Sequence, residues 1–321
     1  MTQKICLISF DHWDYDYHIV NELNNQGFES YHIKISNYKH LSIKDKITNA
    51  FSKLFLKKNL KKIRRQEAII KQLDRLGFQD QILIINPELV DYKYHLEIKK
   101  RTKSYKAYLY DSVKRNPINH LLDGIFDEIY SFDKYDIEKY NFKKASNYIY
   151  LPVQSKKSKI EYEVLFVGSL DERIYSLIKL GDYLKSKKIS FKFIVIGKRK
   201  KLKKFNLSEE ELDLIDFQEK KINQEQLIEF YKKCNIIVDL VRKNQTGLSF
   251  RFFEAMPLQK RIITNNLNVK NYSFYNTNNI LIIDDDKIPD SFFENKFEKL
   301  STKIYNNYTI SSWVKRIFDL N

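Results

Sequence analysis

Glycine, proline, cysteine and tryptophan are all scarce in this 321-residue chain, at 7, 5, 2 and 2 residues. The glycines stand singly at positions 27, 77, 124, 168, 181, 197 and 247. With that spacing the sequence can hold neither a P-loop nor the glycine-rich fingerprint of dinucleotide-binding dehydrogenases, so both classes are set aside. The two cysteines, Cys6 and Cys234, lie far apart in separate apolar runs. They cannot build a disulfide framework or a zinc cluster, and are expected to be small core residues in a reducing compartment. No apolar window reaches the ~18 residues needed to span a bilayer. A secretory leader pattern is also missing, because Lys4–Phe10 is short and runs straight into Asp11 and His12. A cytoplasmic protein is the expectation.

What the chain does have is positive charge and alternation. Lys and Arg number 57 against 41 Asp and Glu, a net charge of +16. Such a surface could meet nucleic acid, anionic lipid or phosphorylated small molecules, and charge alone does not choose among them. Hydrophobic residues at 43% exclude a disordered chain, and the length suits two domains with separate cores. Short apolar runs alternate with polar, helix-length segments. Strands are expected at Lys4–Phe10, Phe28–Ile35, Gln81–Asn86, Tyr105–Tyr110, Glu128–Phe132 and Tyr148–Leu151. Helical patterns cover Asp16–Gln26 and a long stretch over about 42–76. The polar segment Leu151–Lys159 reads as a linker. A second series follows, with strands at Tyr162–Val167, Phe191–Ile196, Asn235–Leu240, Arg261–Thr264 and Ile280–Ile283. Helices fall at Asp171–Lys187, at Gln224–Lys233 and after Ser249. The fold class expected is α/β, as two doubly wound halves, 1–152 and 153–321. The last helix is a candidate to return to the first half.

One stretch carries the chemistry most directly: Gln245-Thr246-Gly247-Leu248-Ser249-Phe250-Arg251-Phe252-Phe253-Glu254-Ala255-Met256, followed by the strand at Arg261. It reads as a loop opening a helix. Ser249 is the expected N-cap, and the helix start with Gly247 offers free N–H groups to an anion. Arg251 adds positive charge, and Glu254 lies one turn further as a hydroxyl acceptor. A ligand made of phosphate plus ribose needs that combination.

The same stretch resembles the donor-binding segment of GT-B glycosyltransferases, in which a glutamate followed by alanine and an apolar residue holds the nucleotide ribose. The resemblance covers Val164 to about Ile283 best, and the first half only in architecture. The large retaining family has two glutamates separated by seven residues; here the earlier position is Thr246, which leaves the stereochemical outcome open. The resemblance implies two Rossmann-like domains facing a central cleft, with the donor held by the second.

Other segments fit that reading. Val167-Gly168-Ser169-Leu170-Asp171-Glu172-Arg173 looks like the glycine-then-arginine turn that opens the donor domain. A cation in a first helical turn opposes the macrodipole, so Arg173 suggests an anion nearby. Arg242 and Lys243 follow an expected strand, where doubly wound sheets bind ligands, and an Arg–Lys pair suits a diphosphate. In the first half, Asp11-His12-Trp13-Asp14-Tyr15-Asp16-Tyr17 follows the first strand. His12 has a near-neutral intrinsic pKa and is a candidate general base, with Asp11 as orienter or alternative. Trp13, Tyr15 and Tyr17 offer rings for a sugar to stack on. Asp111 is a further candidate base, although a helix N-cap by Asp111 or Ser112 is the plainer reading. Asp284-Asp285-Asp286 has the spacing of a metal-binding pair, but a solvated acidic turn is the simpler reading. Lys53–Arg65 holds seven cations and no acid around an apolar stripe, which suits an anionic inner-membrane surface. A core-facing helix with a basic outer side is the plain alternative.

Together these point to transfer of a sugar from a nucleotide-sugar donor to a saccharide or lipid-linked acceptor; the resemblance and the basic run together imply a bacterial enzyme of capsule, lipopolysaccharide or exopolysaccharide assembly. The donor site would comprise Gly168, Ser169, Arg173, Arg242, Lys243, Gly247, Ser249, Arg251 and Glu254. No metal or cofactor is called for, because protein cations can neutralise the leaving group, and no nucleic-acid recognition motif accompanies the charge. Two rivals are an inactive scaffold of the same fold and a basic nucleic-acid-binding protein.

Overall fold

The computed structural model describes residues 2–11, 13–37, 52, 59–155, 158–242, 246–283 and 288–320. The chain divides into two compact units, Met1–Ala145 with Trp313–Asn321, and Ser146–Ser312. Each contains a six-stranded parallel sheet.

In the first unit the strands are β1 (Lys4–Ser9), β2 (Glu29–Lys34), β3 (Gln79–Ile85), β4 (Thr102–Leu109), β5 (Glu128–Ser131) and β6 (Lys143–Lys144), in the order β2-β1-β3-β4-β5-β6. The central strands read as near-continuous apolar runs because helices cover both faces of a parallel sheet. Ile5 to Ile8 and Ile82 to Ile85 are accordingly sealed from solvent. Cys6 and Cys234 are buried core residues, as their apolar surroundings suggest. The C-terminal helix Ile310–Phe318 supplies Trp313, whose ring meets Tyr108 edge-on at 5.4 Å. Lys106, buried under it, donates to the Ile317 carbonyl at 2.8 Å and pairs with Glu128 and Asp319.

The second unit has β7 (Tyr162–Ser169), β8 (Phe191–Ile196), β9 (Asp216–Gln218), β10 (Cys234–Asp239), β11 (Arg261–Thr264) and β12 (Ile280–Ile282), in the order β12-β11-β10-β7-β8-β9. Side-chain alternation sorts its core into two layers. Leu165 and Val167 pack on one face with Ile237 and Ile262, while Val164 and Phe166 pack on the other with Ile236 and Ile263. In both sheets the strand order reverses beside the first strand, between β1 and β3 and between β7 and β10. That is where doubly wound folds open a crevice beyond the carboxyl ends of the strands.

The expected strand Tyr148–Leu151 does not form. Ile149 makes an isolated bridge with Thr309, and the Tyr148 ring lies edge-on to Phe250 at 5.2 Å, so the segment packs in the second unit. The edge of the first sheet is instead the two-residue β6. Of the basic run Lys53–Arg65, residues 53–58 lie outside the described part. The remainder opens the helix Leu60–Leu76, which buries Ile69 and Leu73, and Lys62 pairs with Asp91. Asp284-Asp285-Asp286 also lies outside the described residues.

Candidate functional site

Three arginines meet at the carboxyl edge of β7 and β10. Arg173 stands at the N-cap of the helix Ile174–Ser186, just beyond β7. Its Nε and Nη2 donate to the two oxygens of Asp171, each at 2.7 Å, and Nη1 donates to the Leu240 carbonyl at 3.0 Å. Arg242 follows β10 and donates from Nε to Asp171 at 3.0 Å. Arg251 donates from Nη2 to the Val167 carbonyl at 2.6 Å and from Nη1 to Asp239 at 3.2 Å. Phe166 lies under both Arg173 and Arg251, with its ring centroid 6.0 and 5.6 Å from the guanidinium carbons. Burial, followed by the neighbouring charges of Arg251 and Arg242, holds the Arg173 pKa below its ordinary value despite Asp171. The guanidinium beside Asp171 holds that carboxyl low against the opposing effect of burial.

The predicted loop-and-helix start is present in a modified form. Ser249 caps the helix Phe250–Ala255, accepting from the Arg251 N–H at 3.2 Å and donating to Asp239 at 2.6 Å. At six residues this helix has little dipole to offer, so the arginines rather than the helix end carry the positive potential. Gly247 is buried, and its carbonyl accepts from the Asn266 amide at 3.1 Å. Lys243 lies outside the described residues. Gly168 is no turn residue. It lies within β7, paired with Val195, and a Cβ there would stand 2.6 Å from Phe166 Cζ and 3.4 Å from Arg251 Nη2. Glycine is needed for that close packing and not for backbone freedom. Ser169, the last residue of β7, is exposed.

Glu254 is fully buried, and Tyr150 donates its hydroxyl proton to Oε1 at 2.5 Å. Sequence reasoning missed Tyr150, Asp171, Asp239 and Asn266. Asp171 had a visible signal in its place two residues before Arg173. Asp239 and Asn266 lie 10 to 20 residues from their partners, at strand ends with no motif to mark them, and Tyr150 lies 104 residues from Glu254.

In the first unit, Asp11 has a left-handed backbone, with φ 47°, and a buried carboxylate. That carboxylate caps the following helix by accepting from the Asp16 N–H at 3.1 Å, and it pairs with Lys34 at 3.2 Å. Those bonds commit it to holding the loop. His12 lies outside the described residues. Asp111 accepts from Arg115, four residues on, at 2.9 Å; the segment is a turn and no helix starts there, so the expected N-cap role is not realised. Trp13 and Tyr17 are exposed, as rings for stacking would need to be. The sequence reading gave Asp16 no role. It is buried, accepts from the Tyr110 hydroxyl, and lies beside Asp11. Burial, then the Asp11 charge, pushes its pKa up to about 7.

Among the described residues no group of three His, Cys, Asp or Glu side chains could hold a metal ion, and no helix is long and apolar enough to cross a membrane. No protein-family model matches the sequence, and no curated protein matches it. Solved structures do. AviGT4, a glycosyltransferase involved in avilamycin A biosynthesis, superposes with a TM-score of 0.62 at 8% identity, covering 99% of this chain and 96% of that one. The trehalose-6-phosphate protein from E. coli bound with UDP-2-fluoro glucose gives 0.57 at 11% identity, covering 99% of each. A UDP-N-acetylglucosamine 2-epimerase from Rickettsia bellii gives 0.58 at 10%, covering 100% and 96%. At these identities the comparison defines the fold, which is of the GT-B type.

Proposed function

We propose that the protein transfers a sugar from a nucleotide-sugar donor, and that the arginine cluster of the second unit holds the donor's diphosphate. The observation that supports this most is the convergence of Arg173, Arg242 and Arg251 at the switch point between β7 and β10. Arg173 and Arg251, fixed by carbonyl and carboxylate partners, can stabilise the charge that grows on the leaving phosphate without reorganising, so a metal is not required. Glu254 would hold the ribose, with the Tyr150 hydroxyl standing in for a ribose hydroxyl until the ring moves aside. Gly168, Ser169, Lys243, Gly247 and Ser249 complete the proposed donor site. Among the first unit's candidates for taking the acceptor's proton, His12, Asp11 and Asp111, the bonds that hold Asp11 in its loop weigh against it. The AviGT4 and E. coli structures, a glycosyltransferase and a protein carrying a UDP-sugar analogue, support the same class of chemistry. The acceptor is proposed to be a saccharide or lipid-linked saccharide of surface-polysaccharide assembly.

A thermal-shift screen against nucleotides and nucleotide sugars tests the donor site, since a ligand at 100 times its dissociation constant adds about 2.7 kcal/mol to stability. Glu254→Gln should weaken binding of the best ligand by about 1.5–3 kcal/mol, the range for hydrogen bonds to a charged group. Undiminished affinity in that variant would remove Glu254 from the site, and the absence of any nucleotide ligand would remove the function.

Anionic-membrane association rests on the cation run Lys53–Arg65. Replacing Lys57, Lys58 and Lys61 with Gln, and leaving Lys62 to its pair with Asp91, should release the protein from anionic vesicles at low salt. Wild type that stays in the supernatant after co-sedimentation would make the helix an ordinary solvated face.

A further inference from the structure

Within the arginine cluster, the Asp171 carboxylate makes the contacts a phosphate would make. One oxygen accepts from Arg173 Nε at 2.7 Å and from the Arg173 N–H at 3.2 Å. The other accepts from Arg173 Nη2 at 2.7 Å and from Arg242 Nε at 3.0 Å. The second carboxylate of the cluster has a different character. The Asp239 side chain is only 3% exposed and ties Ser249 and Arg251 to the end of β10, so it belongs to the frame. Asp171 and Arg242 are reachable, at 18% and 35% side-chain exposure. A pair within reach of water exchanges partners more readily than the buried pair of Arg251 with Asp239. Arg173 has a second anchor in the Leu240 carbonyl, and so keeps its place if Asp171 lets go. The formal charges of the three arginines and two carboxylates leave the cluster at one net positive charge, and Asp171 is the reachable carboxylate with which a diphosphate competes.

We infer that Asp171 is a built-in counter-anion that competes with the ligand's phosphates for Arg242 and thereby sets how strongly the site binds a diphosphate. This rests on the donor-site reading above. While no diphosphate is bound, Asp171 relieves the repulsion among three converging guanidiniums. On binding, Arg242 turns from the carboxylate to the phosphate and exchanges its single Nε contact for the two-pronged contact that suits a guanidinium and a phosphate. If Asp171 served instead to orient the arginines for the ligand, its loss would weaken binding, so the two roles differ in sign.

The test measures binding of inorganic pyrophosphate and of nucleoside diphosphates by calorimetry, at two salt concentrations, for wild type and Asp171→Asn. The asparagine keeps an oxygen for the Arg173 N–H while removing the charge. Both ligands should bind the variant more tightly, by about two- to fivefold, the factor that corresponds to a partly exposed ion pair. The affinity should also fall more steeply with salt, because one more cation is left to the ligand. Adding Arg242→Ala to Asp171→Asn should erase the gain, since Arg242 is the partner being contested. Equal or weaker binding by Asp171→Asn, while wild type binds the diphosphate, would overturn the counter-anion role and leave the donor site standing. Wild type that binds neither pyrophosphate nor any nucleoside diphosphate would remove both. Asp171→Ala removes the same charge and serves if the amide variant does not fold.

Discussion

Replacing Arg251 with alanine is expected to lower turnover with a nucleotide-sugar donor by about 10²–10³-fold, the usual effect of deleting one preorganised donor to developing charge. The guanidinium is fixed by the Val167 carbonyl at 2.6 Å and by Asp239 at 3.2 Å, and lies over Phe166. It is therefore aimed before the ligand arrives. A second consequence separates this residue from its neighbours. Asp239 is almost completely buried, so losing its charged partner should also cost about 3 kcal/mol of stability, as breaking buried pairs does. Arg251→Lys should recover much of that stability, because the charge stays near Asp239, but little of the turnover, because a point charge cannot replace the fork. Affinity for a nucleoside without phosphate should be unchanged in both variants. If phosphorylated and unphosphorylated ligands lost affinity equally, the arginine would not be a phosphate contact.

The other large effect is expected in the first unit and depends on pH. Folding moves the Asp16 pKa from an ordinary 3.8 up to about 7, because the carboxyl is buried beside the charge of Asp11. The folded state then holds that proton more tightly than the unfolded state. Its influence on stability is nil below about pH 4, grows more unfavourable as pH rises towards 7, and is constant above that. At 1.36 kcal/mol per pKa unit, the penalty at pH 8 is on the order of 4 kcal/mol. Asp16→Asn cannot ionise and keeps an oxygen for the Tyr110 hydroxyl. The variant should therefore match wild type near pH 4 and be clearly more stable at pH 8 in urea denaturation. Parallel curves across that range would show that Asp16 is ionised at no cost in the native protein.

How much of this could be read from the residues depended on how local the signal was. Phe191–Ile196 and Arg261–Thr264 form strands at the expected bounds, because central parallel strands are continuous apolar runs. The edge strands β6 and β9 have no such run: Lys143-Lys144 and Asp216-Phe217-Gln218 pair because the sheet beside them is already built. The segment at Tyr148 fails for the converse reason. Its apolar residues serve packing against Phe250 rather than a ladder, and composition cannot tell those uses apart. The short helix after Ser249 was legible through its cap.

The cations of the site were legible as well, since Arg173, Arg242 and Arg251 each follow a strand or open a helix. Their carboxylate partners were less so. Asp171 reaches Arg242 across 71 residues, and only the crossover that sets β10 beside β7 brings them together. Arg173 was expected to meet an anion because a cation in a first helical turn opposes the dipole. The structure supplies an anion from the chain itself, Asp171. Glu254, the residue proposed to hold the ribose, is buried with its carboxylate on Tyr150, a partner 104 residues away that no local pattern announces.

Calorimetric titration of the wild-type protein with a nucleoside, its monophosphate and its diphosphate, repeated for each base, tests the central claim most directly. Affinity should rise with each phosphate, by at least about tenfold from nucleoside to diphosphate (1.4 kcal/mol), and the gain should shrink as salt is added. A nucleoside that binds as tightly as its diphosphate, or a protein that binds none of them, would contradict the assignment of the arginine cluster to a nucleotide-sugar diphosphate.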